Sequence, residues 1–205
     1  MVRDGIYYGA GFVAAAILLG WLAGPWFAVP ALALSGFFLW FFRDPERAIP
    51  AAAGALVSPA DGKVTDISTL EVQGEPRRRI SIFLNVFDVH VNRSPIGGII
   101  ERVEYKKGLF LVASKHAATT QNEQNVVTVR GDDGLALVFS QIAGLIARRI
   151  VFYKKEGDRV AMGERIGLMK FGSRMDVFFG PEWEIAVSRG ERVRAAETII
   201  ARRKD

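Results

Sequence analysis

The chain of 205 residues contains no cysteine and only two histidines, His90 and His116. Without thiols there is neither a disulfide framework nor a thiolate metal site, so a reducing compartment is natural. The two histidines do not stand at a ligand-like spacing, which excludes a histidine-based metal cluster, and no metal is expected. Charge is also missing from one long stretch: Gly5 to Phe42 is 38 consecutive residues without an acidic or basic side chain. That stretch lacks the small-residue cleavage site and polar start of a secretory leader, so it is expected to remain as an anchor. Beyond it helix signals are scarce, a run over Phe110–His116 being the one short candidate.

Gly24-Pro25 divides the apolar stretch into Gly5–Ala23 and Trp26–Phe42, each near the roughly 20 residues needed to cross a bilayer. A helical hairpin fits best, with Trp21, Trp26, Trp40, Tyr7 and Tyr8 towards its ends where aromatic rings favour the interface. Pro30 inside the second run leaves a re-entrant or interfacial pair open as the alternative. Arg3 before the hairpin and Arg43 and Arg47 after it place both ends, and the rest of the chain, on the cytoplasmic face of the cell membrane. The Pro- and Ala-rich joint that follows sets the expected division: an anchor over residues 1–47 and a catalytic domain over 48–205.

After the joint the apolar period is near two, as strands require. Short strands are expected at Ala55–Val57, Lys63–Ile67, Arg79–Val86, Val89–Asn92, Ile99–Lys106, Asn125–Arg130 and Ala136–Ile142. Others follow at Arg149–Lys154, Arg165–Met169, Met175–Phe179, Glu184–Val187 and Thr198–Arg202. The expected fold is therefore mainly β. Glu156–Ile166 and Arg189–Ile199 share the pattern G-[D/E]-R-V-x-x-[G/A]-E-x-I, each a turn, a short strand, a tight bend and another strand. This quasi-repeat suggests a flattened β-sandwich or barrel-like domain similar to biotinyl and lipoyl carriers. On that reading Lys170, between the halves, would be the modified residue of a membrane-tethered carrier. Gly167 and Leu168 ahead of Met169 and Phe171 after Lys170 depart from the biotin acceptor pattern Ala-Met-Lys-Met, the lipoyl pattern Asp-Lys-Ala is further away, and the carrier reading leaves Gly172-Ser173 without a role.

Gly172-Ser173 lies between an apolar run and an alternating one, at a tight corner between two strands. There the Ser173 hydroxyl has another use than a turn: attack on the Gly172 carbonyl converts amide to ester, and β-elimination then cuts the chain. Hydrolysis of the resulting dehydroalanine leaves a pyruvoyl group, a ketone that forms a Schiff base with an amine and takes up a carbanion's electrons.

Lys170-Phe171-Gly172-Ser173, Ser58-Pro59-Ala60-Asp61-Gly62-Lys63-Val64 and Phe87-Asp88-Val89-His90-Val91-Asn92-Arg93-Ser94-Pro95 together resemble the phosphatidylserine decarboxylases, in their short prokaryotic form. The resemblance implies a proenzyme that cuts itself into residues 1–172 and 173–205, two chains that stay associated, with a covalent pyruvoyl cofactor from Ser173. It implies phosphatidylserine as substrate, carbon dioxide and phosphatidylethanolamine as products, and a place in phospholipid biosynthesis at the membrane. His90 is implied for proton transfer in decarboxylation, with Asp61 assisting maturation. Longer members carry a second histidine three residues beyond the first, where Arg93 stands here, so either His90 serves both maturation and decarboxylation or His116 takes one of the two roles. Arg93 and Arg174 are candidates to hold the substrate phosphate or carboxylate. A net charge of +5 suits an anionic leaflet. Nucleic acid is not an expected partner, and a homo-oligomer is admissible.

Overall fold

The computed structural model describes residues 2–72, 74–113, 117–145, 149–170 and 172–204. His116 and Phe171 lie outside the described residues. The chain forms two compact units, Met1–Glu46 and Arg47–Asp205.

The first unit is a helical hairpin of α1 (Arg3–Ala23) and α2 (Pro25–Phe41). Gly24, with φ 106°, turns the chain, and Pro25 starts the second helix at a position where its missing N–H costs nothing. Small residues let the helices close on one another: Ser35 Oγ donates to the Gly9 carbonyl at 2.9 Å, and a Cβ on Gly9 would stand 2.7 Å from Leu39 Cδ2. α1, with 21 residues, is long and apolar enough to cross a membrane by length and composition, while α2 is shorter.

The second unit is mainly β. Its principal sheet has eight strands in the order β13-β2-β3-β11-β7-β6-β5-β9. These are β2 (Gly62–Val72), β3 (Glu75–Leu84), β5 (Gly98–Lys106), β6 (Gln124–Arg130), β7 (Ala136–Ile142), β9 (Arg159–Val160), β11 (Ser173–Phe179) and β13 (Arg192–Val193). Two three-stranded sheets accompany it. One sets β10 (Arg165–Met169) between β4 (Val91–Arg93) and β8 (Ile150–Phe152), the other β14 (Ile199–Arg203) between β1 (Ala55–Val57) and β12 (Trp183–Ile185). The large sheet curls over a core that includes Ile80, Ile82, Phe139, Met175, Val177 and Phe179, all fully buried, so the sandwich-like, half-barrel β-fold is as expected. The quasi-repeat has a topological meaning: its two Arg-Val strands, β9 and β13, are the opposite edges of the large sheet. The strand that begins at the end of each copy, β10 or β14, is the centre of one small sheet.

The helix expected over Phe110–His116 does not form in its described part. Asn122 takes the backbone instead, its Oδ1 accepting from Leu111 N–H at 2.9 Å and its Nδ2 donating to Leu111 O at 2.8 Å. With both polar groups of Leu111 engaged by one side chain, a helical ladder has nothing to start from. The short helix α3 falls later, at Ala118–Gln121.

Candidate active site

β11 is the strand on which the site depends. It pairs antiparallel with β3 on one side and β7 on the other, and the chain reaches it from the end of β10 through Lys170–Gly172. Gly172 has φ 62°, a left-handed conformation that side chains with a Cβ resist. Ser173 is the first residue of β11, opposite Leu84, and is wholly buried. Its hydroxyl oxygen has no hydrogen-bond partner among the described residues. A buried polar atom left in that state costs free energy and marks a position held for something other than stability. Directly against it, a Cβ built on Gly144 would lie 1.8 Å from the Gly172 carbonyl oxygen. That oxygen therefore rests on the bare Cα of Gly144, in the turn after β7.

His90 is brought to the same corner: its carbonyl accepts from Met169 N–H at 3.2 Å, and its ring is buried. Nδ1 lies 2.9 Å from the Asp88 carbonyl oxygen. A carbonyl can only accept, so Nδ1 is the protonated nitrogen of that contact, and Nε2 is the nitrogen that can exchange a proton. Asp88 fixes that turn by accepting from Asn85 N–H at 2.9 Å and pairing with Arg192. On the core face of the sheet a buried amide chain continues from β4, the strand that follows His90. Gln141 Nε2 donates to Asn92 Oδ1 at 2.9 Å, and Asn125 Nδ2 donates to Gln141 Oε1 at 3.1 Å. Gln141 stands opposite Met175, two residues from Ser173 and on the same face.

The other candidates lie elsewhere. Asp61 precedes β2, and Lys63 of that strand is opposite Phe83 of β3, which puts Asp61 two strands, about 10 Å of backbone, from Ser173. Among the described residues its carboxylate partners are Arg47 Nη2, 2.9 Å from each oxygen, and the Ala195 amide at 2.8 Å. Arg93 is buried, with Nη1 donating to Gly163 O at 3.1 Å. Arg174 alternates with Ser173 and so faces the opposite side of the sheet. There its guanidinium meets Asp176 at 2.9 Å, Thr119 Oγ1 at 2.6 Å and the Ala113 carbonyl at 3.0 Å. Arg79 completes that cluster, 2.5 Å from Asp66 and 4.0 Å from Asp176. Burial pushes the Asp176 carboxyl above its ordinary range, against the pull of Arg174, Ser81 and Arg79. Lys170 is half-buried at the β10–β11 junction. Gly144 had no sequence signal, and Gln141 and Asn125 were legible only as members of the expected strands Ala136–Ile142 and Asn125–Arg130.

A buried serine directly after a left-handed glycine, its hydroxyl without a hydrogen-bond partner among the described residues, and a buried imidazole whose backbone is tied to Met169, four residues before that serine, describe a candidate enzyme active site in the β-rich unit. Comparison with known proteins narrows that class. A family profile described as phosphatidylserine decarboxylase matches residues 34–201. A phosphatidylserine decarboxylase proenzyme of Solibacter usitatus is 62% identical over 205 residues, covering 100% of this chain and 98% of its own length. Proenzymes of the same name from Erythrobacter litoralis and Oleidesulfovibrio alaskensis are each 45% identical. They cover 97% and 95% of this chain and 86% and 91% of their own lengths. The chain belongs to the phosphatidylserine decarboxylase family.

Proposed function

We infer that this protein is a self-processing decarboxylase that converts phosphatidylserine to phosphatidylethanolamine and carbon dioxide at a membrane surface. One observation carries the reading: the buried hydroxyl of Ser173 directly after Gly172, without a hydrogen-bond partner among the described residues, in a chain whose relatives are named proenzymes. His90 Nε2 is the base that takes the Ser173 Oγ proton. The oxygen then attacks the Gly172 carbonyl, whose position Gly144 sets, and the C–N bond breaks to give an ester. Loss of the Cα proton expels the Gly172 carboxylate and leaves dehydroalanine, and water then releases ammonia and the ketone. Ser173 fits this product, since its buried place at the start of β11 keeps bulk water from the new chain end. A pyruvoyl group there supplies the electron sink that decarboxylation requires. His90 remains the proton carrier at the site. His90 thus serves both steps in this reading, with His116 the alternative carrier of one of them, and family membership sets the Lys170 carrier reading aside.

Cleavage would leave the two chains interleaved. Residues 173–205 supply β11, inside the large sheet, and β14, inside a small one. Across the cut, Asp88 pairs with Arg192, Asp61 accepts from the Ala195 amide, Arg47 lies 3.6 Å from Glu197 and Asp133 lies 2.7 Å from Arg203. Asp61 thus supports maturation by holding residues 47 and 195 together. Arg93 and Arg174 would each have to release a protein partner to hold the substrate anion. The hairpin is read as the anchor, with Arg3, Arg43 and Arg47 setting the catalytic unit on the cytoplasmic face.

A denaturing gel with intact mass tests the reading. The wild-type chain should yield a 33-residue fragment, 173–205, with a blocked N-terminus that reacts with carbonyl-trapping reagents. Ser173→Ala should stay in one piece and release no carbon dioxide from phosphatidylserine; a cleaved Ser173→Ala chain overturns the chemistry.

A further inference from the structure

Five strand ends meet at one end of the large sheet. Leu84 closing β3 is opposite Ser173 opening β11, Arg174 is opposite Ile142 closing β7, and Gln124 opening β6 faces both Ile142 and Lys106 closing β5. The loops leaving that end carry large apolar side chains outward: Phe87 is 68% exposed, Leu109 55%, Val112 39% and Leu145 58%. Tyr105, also exposed, stands beside them on β5. The opposite end of the sheet carries surface ion pairs, Asp132 with Arg159, Asp133 with Arg203 and Glu101 with Arg130, together with exposed Glu71, Glu75 and a single large apolar side chain among the described residues of that edge, Ile99. The two ends thus differ in kind, and the scissile peptide is at the apolar one.

The apolar loops are held, not loose. Asn122 Nδ2 donates to Ala143 O at 2.7 Å as well as to Leu111 O, and Ala143 N–H donates to Glu123 O at 2.9 Å. This fixes Leu109–Val112 beside Leu145, with Gly144 between them against the Gly172 carbonyl. Around the apolar chains stand exposed Lys106, Lys107 and Arg149. Apolar and aromatic side chains inside a basic collar complement the interfacial zone of an anionic bilayer, where the chains enter the headgroup boundary and the cations meet lipid phosphate. Such a patch on a soluble surface would otherwise be a standing liability.

We propose that this end of the catalytic unit is a membrane contact in its own right, in which Phe87, Leu109, Val112 and Leu145 dip into an anionic lipid surface. The contact opens the buried Ser173 corner towards the bilayer, so that a headgroup reaches it while the acyl chains stay in lipid. This rests on the lipid-decarboxylase reading above for its purpose, but its geometry is testable without turnover.

The absence of cysteine makes single labelling sites simple to build. Leu145→Cys, Val112→Cys and, at the far end, Asp132→Cys would each carry an environment-sensitive fluorophore on the full chain, reconstituted in phosphatidylcholine vesicles with a quarter phosphatidylglycerol. Labels at 145 and 112 should shift to the blue, be quenched by spin-labelled lipid and lose at least about fivefold in iodide accessibility relative to 132. Equal accessibility at all three sites, or shielding that appears only when other proteins are added to the vesicles, overturns the proposal. In a second arm, Leu109→Glu with Leu145→Glu should lose about tenfold or more in decarboxylation of vesicle-borne phosphatidylserine but keep its rate on a water-soluble dihexanoyl phosphatidylserine. An equal fall on both substrates counts against the docking surface. A wild-type chain that turns over neither refutes the assigned reaction, while the labels still decide the contact.

Discussion

Replacing Gly144 with alanine would put a methyl carbon 1.8 Å from the Gly172 carbonyl oxygen, where an unstrained C···O contact is about 3.3 Å. One backbone must therefore move by roughly 1.5 Å. The Gly144 side has little freedom, because its neighbour Ala143 is held through its carbonyl by Asn122 and through its amide by Glu123. The displacement falls on the scissile carbonyl, between Met169, tied to His90, and Ser173, paired with Leu84. A reaction that needs its atoms in near-attack geometry loses about 100-fold for a misplacement of about 1 Å, so Gly144→Ala should slow self-cleavage by about two orders of magnitude. Overpacking of this kind costs about 1–3 kcal/mol, a fall in Tm of about 2–12 °C for a unit of this size. The chain should still fold. Appearance of the fragment 173–205 on a timed gel, with and without hydroxylamine to cleave any ester, measures the effect. Ala113 Cβ is the other neighbour, 3.4 Å from the added methyl; Ala113→Gly in the same chain should recover part of the Tm and none of the cleavage. Processing of Gly144→Ala at the wild-type rate would refute the reasoning.

Three further outcomes follow from side-chain partnerships. Arg174→Lys cannot reach Asp176, Thr119 and the Ala113 carbonyl together, and weakening a buried pair of this type should cost about 3 kcal/mol, read as a lower Tm; an unchanged Tm with a raised KM would assign Arg174 to the substrate instead. Gln141→Leu strands Asn92 Oδ1 and Asn125 Nδ2, at about 1–3 kcal/mol for each orphaned group, and should lower the urea midpoint; a midpoint equal to wild type would show that the amide chain contributes nothing. Asp66 is held below its ordinary 3.8: burial acts to raise it, but the hydrogen bonds from Arg79 and Ser68 outweigh that. A depressed folded-state pKa stabilises above the unfolded value and is lost as pH falls below it, so Asp66→Asn should flatten the drop in urea midpoint between about pH 5 and 3, and equal slopes in both proteins would contradict the pairing.

The sequence read well where structure is local. Gly24-Pro25 marked the hairpin bend, and the strands at Ala55–Val57, Ala136–Ile142 and Arg165–Met169 run as expected, because alternation and turn residues are written in consecutive positions. The Gly172-Ser173 corner was legible for the same reason, and three ordered motifs carried the family. The run Phe110–Ala113 misled because its apolar content has no period of its own, and its conformation is imposed by Asn122, eleven residues beyond Leu111.

The chain's own pattern thus determined an apolar hairpin, a β-rich unit and the Gly172-Ser173 corner between two strands. Tertiary structure alone decided that β11 is an inner strand, that Arg174 turns from Ser173 to a buried cluster, and that Gly144 supports the Gly172 carbonyl. It also gathered the exposed apolar chains at one end of the sheet. Each of these is set by strand register between distant segments, and a shift of one residue would send every such side chain to the other face.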